Sequence, residues 1–271
     1  MRIYPRGTPR RLYGEERWIK TGYDMKRIIS IVNHKGGVGK TTSVVSLGVA
    51  LSQLGRRVLL VDLDPQGNLS QTLSVPQTGR TLYEALREGR DLPLVDVRPG
   101  LSVCPSSIDL VSMDIELSGV RGREYVLRKL LSPLEYDYIL LDCPPSLGLL
   151  TINALTASGE VFVPLTPEAL PAKGLGTLLE IINRTKEGLN PDLRLSGILI
   201  TRYQRRKINR IVEESLRETF GDLVFKTKIR ENVDISESPL QGTDIYSYSP
   251  RSIGAEDYRS LSLEVESQIE K

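Results

Sequence analysis

Cysteine, histidine and long apolar runs are all scarce in this chain. Two cysteines, Cys104 and Cys143, in 271 residues cannot build a disulfide framework and suit a reducing cytosol. No apolar run approaches the roughly 20 residues of a membrane span. The N-terminus lacks the apolar core of a secretory signal. Internal repeats and low-complexity tracts are absent as well. The length suits one large domain or two small ones, with a substantial core.

Net charge is also small, at +2, but it is unevenly placed. Residues 1–27 carry Arg2, Arg6, Arg10, Arg11, Arg17, Lys20, Lys26 and Arg27 against Glu15, Glu16 and Asp24, so the rest of the chain is slightly acidic. A basic arm on a near-neutral body fits a polyanionic partner. The plainer readings are a solvated tail, or a natural start at Met25. Residues 1–25 mix Pro, Gly, Arg and aromatics without period, which predicts an irregular arm ahead of a domain over 26–271.

Residues 28–42 read Ile-Ile-Ser-Ile-Val-Asn-His-Lys-Gly-Gly-Val-Gly-Lys-Thr-Thr. The β-branched run predicts a buried parallel strand over 28–32, and the periodic segment after the glycines predicts a helix over 41–54. Strand, glycine turn and helix is the setting of a phosphate-binding loop. The glycines let backbone N–H groups close around an anion, and the helix N-terminus adds partial positive charge. Lys40 would reach the β- and γ-phosphates, and the Thr41 hydroxyl would hold Mg²⁺. The pattern G-x-x-x-x-G-K-[ST] is not met literally, because His34 stands where its first glycine belongs and Lys35 follows. His34 reads as a spacer rather than a base.

Further strands are expected over 58–62, 101–104, 138–142, 161–165, 198–201 and 223–229. Helices are expected over 81–89, 106–117, 124–131, 175–186, 206–220 and 255–269. Thr81 and Glu84 are placed as a capping box. The alternation predicts a single doubly wound, mostly parallel α/β sheet flanked by helices, of the P-loop NTPase kind.

Ligands bind such sheets at the carboxyl ends of the strands. Two acidic segments fall there: Asp62-Leu63-Asp64-Pro65-Gln66-Gly67-Asn68 and Asp142-Cys143-Pro144-Pro145-Ser146. Asp142, ending a hydrophobic run in a chain with a phosphate loop, is the expected carboxylate beside Mg²⁺. A second carboxylate is needed to orient the attacking water. Asp62 and Asp64, two apart on one face, both qualify by spacing. Cys143 reads as strand-end packing.

The run Lys35-Gly36-Gly37-Val38-Gly39-Lys40-Thr41-Thr42 resembles the deviant phosphate loop of the ParA/MinD ATPases. The two acidic segments resemble switch I and switch II of the ParA/Soj partition ATPases. The resemblance extends through Thr166-Pro167-Glu168, Leu199-Ile200-Thr201 and the run from Ser249 to Ala255. It implies ATP and Mg²⁺ as cofactors, with Thr41, Asp62 and Asp142 in the metal shell and Asp64 needed for hydrolysis. It implies that Lys35 contacts ATP bound by a second subunit, so that the active species is a nucleotide-sandwich homodimer. It also implies non-specific binding to double-stranded DNA, a ParB-like partner that stimulates hydrolysis, and a cytoplasmic, nucleoid-associated protein.

Arg202 resembles an arginine that stacks on adenine in the MinD branch. Asn232 is retained from a Pro-Arg-Asn segment near the base, whereas the proline and arginine become Arg230 and Glu231 here. Arg202, Arg205, Arg206, Lys207 and Arg210 form a cationic run, with Arg206 and Arg210 one helical turn apart. With Lys226, Lys228, Arg230 and Arg251 they are the candidate DNA contacts.

Two other classes share the loop. A membrane-placed regulator like MinD would end in a basic amphipathic helix, but residues 263–271 are acidic. The iron protein of nitrogenase shares a cluster through two cysteines per subunit, but Cys143 abuts the metal carboxylate and the spacing differs. The chain has no room for the helix-turn-helix domain of larger plasmid relatives, so operator-specific repression is not expected.

Overall fold

The structure is a computed structural model, and it describes residues 26–77, 79–168 and 172–268. The basic arm therefore lies outside the described residues. The strands are β1 (Arg27–Ile31), β2 (Val58–Asp62), β3 (Val95–Arg98), β4 (Leu101–Cys104), β5 (Tyr138–Asp142), β6 (Glu160–Leu165) and β7 (Arg194–Ile200). They form one sheet in the order β3-β4-β2-β5-β1-β6-β7. Every named pairing is parallel except the edge pair β3–β4.

Strands β2, β5 and β6 are buried at every position. That is why they read as unbroken apolar runs rather than alternating ones. Helices cover both faces. On one face lie α1 (Lys40–Gln53), α2 (Asn68–Thr72), α10 (Ile245–Tyr248) and α11 (Ile253–Ser267). On the other lie α3 (Leu82–Glu88), α4 (Met113–Glu116), α5 (Val126–Leu131), α6 (Leu149–Ala157), α7 (Ala172–Gly188) and α8 (Lys207–Phe220). A short α9 (Val233–Glu237) follows the last extended segment. The Glu84 carboxylate accepts the Thr81 N–H at 2.7 Å, completing the expected capping box at α3.

Three expectations change. The segment over 223–229 is not a strand, although it lies beside β7. Phe225 N–H donates to Ile198 O and Ile229 N–H to Ile200 O, so four residue steps oppose two. The backbone N–H groups of Lys226 and Thr227, bulged out between them, are taken by the Glu264 carboxylate at 2.7 and 2.9 Å. The helix expected over 106–117 is a 3₁₀ turn over Ile108–Ser112 running into α4. Helix α6 and edge strand β3 had no counterpart in the sequence reading.

Candidate functional site

Strand β1 sits between β5 and β6, and its carboxyl end delivers the glycine loop to the middle of the sheet. Gly37 and Gly39 have φ of 72° and 84°, a left-handed backbone that other residues adopt only with strain. Gly39 caps α1 without any side-chain bond, so the first-turn N–H groups of the helix face outward, as an anion requires. The loop is fastened from three sides. Asn33 Nδ2 donates to Pro164 O at 2.8 Å, while its Oδ1 accepts the Lys35 N–H at 3.0 Å. Thr201 Oγ1 donates to Val38 O at 2.9 Å. Neither Asn33 nor Thr201 was assigned a role from sequence, since their contribution is a tertiary contact.

Lys40 is 7% exposed, and its ammonium reaches Lys35 O at 3.4 Å. Burial lowers its pKa, against the pull of Asp142. The Lys35 side chain is exposed and does not join the lining of the cavity beside it. That cavity measures about 790 Å³ and is lined by Gly36, Gly37, Gly39, Lys40, Thr41 and Thr42 along one wall. Asp64 and Pro145 meet them from the two acidic segments. Gln66, Asn68 and Gln71 also line it; the first two lie in the switch I run but had been given no role.

The three aspartates differ sharply in their surroundings. Asp62 is fully buried and accepts from Ser70 N–H at 2.9 Å, Ser70 Oγ at 2.7 Å and Asp64 N–H at 3.3 Å. Burial raises its pKa to about 6 in spite of those bonds. Its carboxylate thus pins the 64–70 loop. Asp64 is 9% exposed, and its Oδ1 accepts the Gln66 N–H at 3.0 Å. Its carbonyl is held by Ser106 Oγ at 2.6 Å.

Asp142 is fully buried, and neither of its oxygens has a hydrogen-bond partner. Burial first, and the neighbouring Asp62 charge second, push its pKa well above the usual carboxylate range. The Thr41 hydroxyl and Lys40 ammonium oppose this from beyond hydrogen-bond geometry. An unpartnered carboxylate beside a threonine hydroxyl offers the oxygen donors a hard divalent cation takes, and the lysine next to them is a phosphate partner rather than a metal ligand. The residues present fit Mg²⁺.

At the far wall, Asn232 Oδ1 is buried without a partner. Arg202 adopts a left-handed backbone (φ 51°) and pairs with Glu231 at 3.2 Å. Both residues line the cavity with Ile229 and Ile235. The candidate DNA contacts divide. Lys228 is bound to both Glu213 oxygens at 2.9 and 2.8 Å, over the Tyr203 ring. Arg230 is bidentate on Asp257 and also reaches Glu256. Arg205, Arg206, Lys207, Arg210, Lys226 and Arg251 are exposed, and among the described residues they enter no ion pair. Cys104 and Cys143 are both fully buried, and burial pushes both thiols up.

A family profile described as an AAA domain matches residues 26–195. The chromosome partitioning protein ParA of Caulobacter vibrioides is 42% identical over 251 residues, 88% of this chain and 93% of that protein. The sporulation initiation inhibitor protein Soj of Bacillus subtilis is 43% identical over 251 residues, 89% and 98% of the two chains.

This chain belongs to the ParA/Soj family of partition ATPases.

Among solved structures, that of the cobyrinic acid a,c-diamide synthase of Mycobacterium smegmatis with bound ADP and magnesium superposes with a TM-score of 0.77. It is 37% identical, covering 88% of this chain and 93% of that one. The fold of a ParA/Soj ATPase thus accounts for the sheet order, the loop at β1 and the two acidic segments at β2 and β5.

Proposed function

We infer that this chain is an ATP-operated partition switch, and that its homodimer binds DNA while ATP is in place. The carrying observation is the buried, unpartnered Asp142 carboxylate beside Thr41 and Lys40, at the mouth of a glycine cradle. Binding of ADP and magnesium by the related M. smegmatis structure supports ATP and Mg²⁺ as the ligands. Thr41 and Asp142 would hold the metal. Asp62 belongs to its outer shell, because its oxygens already anchor Ser70 and the Asp64 backbone. Mg²⁺ held there would neutralise charge developing on the phosphates.

The protein's own groups do the rest. Backbone N–H groups of residues 36–42 and the Lys40 ammonium grip the phosphates, with Asn232 and Arg202 at the base end. Asp64 accepts a hydrogen bond from the attacking water and orients it. Lys35 projects from the loop toward solvent, which suits a contact with nucleotide held by a second copy. The DNA-facing surface is carried by Arg205, Arg206, Lys207, Arg210, Lys226 and Arg251, whose charges no acid among the described residues neutralises. A ParB-like partner accelerates hydrolysis and releases the DNA. The protein acts in the cytoplasm on the nucleoid.

Replacing Asp64 with alanine should block hydrolysis while leaving binding intact, so that ATP accumulates a dimer in size-exclusion chromatography. An Asp64→Ala protein that stays monomeric with saturating ATP overturns the switch.

A further inference from the structure

The first two turns of α11 pack against both ends of the cavity. Gly254, Asp257 and Tyr258 are buried there and share one helical face, at spacings of three and four residues. Tyr258 lines the cavity, and its hydroxyl bonds the Ser43 hydroxyl at 3.1 Å, in the first turn of α1 beyond Lys40. Asp257 reaches the opposite end. Its Oδ2 accepts the Arg230 backbone N–H at 2.8 Å, and the Arg230 guanidinium engages both its oxygens at 2.6–3.0 Å. Gly254 lets the helix come close. A Cβ there would sit 2.6 Å from the Ile235 side chain and 3.1 Å from Asn232 Oδ1.

The segment from Ile229 to Asn232 is the far wall of the cavity. Ile229 N–H donates to Ile200 O at 2.9 Å, and Glu231 N–H donates to Tyr203 O at 3.0 Å. In an extended segment alternate N–H groups point to opposite sides. The Arg230 N–H therefore faces away from Tyr203, and Asp257 is its acceptor. The sequence resemblance puts a proline where Arg230 stands. A proline would fix φ by its own ring, whereas Arg230 is held by a carboxylate from another helix.

The wall ends at Asn232. This residue opens α9 without using its side chain as a cap, and its Oδ1 is buried and unpartnered. A bare amide oxygen beside a cavity costs free energy until a donor reaches it. Whether a ligand donor meets that oxygen depends on where the wall stands, and Asp257 holds the residue two positions before it.

We propose that Asp257 is a positioning residue for nucleotide binding: through Arg230 it sets the far wall so that Asn232 meets the base. Tyr258, beside it on α11, ties the same helix to α1 and the phosphate loop. This rests on the reading that places Asn232 at the base end of the ligand.

The test compares two affinities measured by calorimetry, for Mg-ADP and for magnesium tripolyphosphate, which has phosphates but no base. Asn232→Ala should weaken Mg-ADP by about tenfold, the loss of one hydrogen bond, and spare tripolyphosphate. Asp257→Ala should show the same split. In the double variant the Asp257→Ala penalty should nearly vanish, because there is no longer an amide to position. Asp257→Asn keeps an oxygen for the Arg230 N–H and loses the charge on the guanidinium, so it should give the same split with a smaller penalty.

Equal weakening of both ligands by Asp257→Ala would make Asp257 part of the scaffold and overturn the proposal. Unchanged Mg-ADP affinity in Asp257→Ala overturns it too, as do penalties that multiply in the double variant. An Asn232→Ala protein that binds Mg-ADP like its parent removes the base-end reading itself, and the proposal with it.

Discussion

Asp62 and Asp142 stand opposite each other in register on the adjacent strands β2 and β5, yet only Asp62 is hydrogen-bonded. Two buried carboxylates at the carboxyl ends of neighbouring strands cost free energy unless each has a counter-group. Ser70 and the Asp64 backbone serve the first, and a cation bound there would be the counter-group for the second.

The pair therefore separates under mutation. Asp142→Asn replaces a buried carboxyl that has no hydrogen-bond partner, so the ligand-free melting temperature should hold or rise. Stabilisation by Mg-ATP should weaken by at least about 1.4 kcal/mol, tenfold in affinity. Asp62→Asn sets an amide against the Ser70 N–H and should lower stability by about 1–3 kcal/mol with or without ligand. Thermal melts with and without Mg-ATP distinguish the two.

Asp244, which also lines the cavity, gives the fold a pH dependence of its own. Its buried carboxylate caps α10 through the N–H groups of Tyr246 and Ser247 at 2.9 and 3.1 Å, and it pairs with Arg98 on β3. Burial pushes its pKa up, but Arg98 and the Ser247 hydroxyl outweigh this and hold it below the usual value. A depressed carboxylate stabilises the fold above its unfolded pKa, and that stability is lost as pH falls through the folded pKa. Asp244→Asn should thus cost about 1–3 kcal/mol at neutral pH, and the gap to the parent protein should narrow below about pH 4. Denaturant titrations at pH 7 and in the acid range check it.

The basic residues fall into two experimental classes. Neutralising Arg205, Arg206 and Arg210 should leave the melting temperature within error. It should reduce the slope of log affinity for DNA against log salt by about 0.9 for each lost phosphate contact. Arg230→Ala instead strands Asp257 and should lower stability, by about 1–3 kcal/mol. An unchanged salt slope in the triple variant would remove α8 from the DNA surface.

Gly197 on β7 faces an aromatic pair. A Cβ there would sit 2.2 and 2.4 Å from ring atoms of Phe225, whose ring meets Phe162 edge-on at 5.0 Å. Gly197→Ala should destabilise by about 1–3 kcal/mol through overpacking. Nucleotide affinity, measured by calorimetry, should be preserved because the clash lies away from the loop.

The sequence made the centre of this fold legible and its margins obscure. Strands β2, β5 and β6 are buried throughout, so pattern and structure coincide. Edge strand β3 reads Val-Asp-Val-Arg, three half-exposed residues and the exposed Asp96 between prolines, which is too short to announce itself. Helix α6 is buried on nearly every side and rich in Leu and Thr, so no polar face marks its period. The stretch 223–229 has strand composition, but the Glu264 carboxylate claims two of the N–H groups a ladder would need. At the site, the loop and aspartates were legible because anion and metal chemistry demands those residue types in order. Asn33, Thr201 and Ser70 were not, since each acts through a partner distant in sequence or on another element. The split among the basic residues was equally hidden, because only the fold brings Glu213 to Lys228 and Asp257 to Arg230.

We propose that occupancy of the Lys40 pocket governs dimerisation, DNA binding and turnover alike. The most direct test is duplex DNA binding by the purified chain with Mg-ATP, with Mg-ADP and without nucleotide, at one fixed salt concentration. Tight binding with Mg-ATP and weak binding in the other two states is the predicted result. Equal affinity in all three states would show that the nucleotide pocket does not control DNA binding.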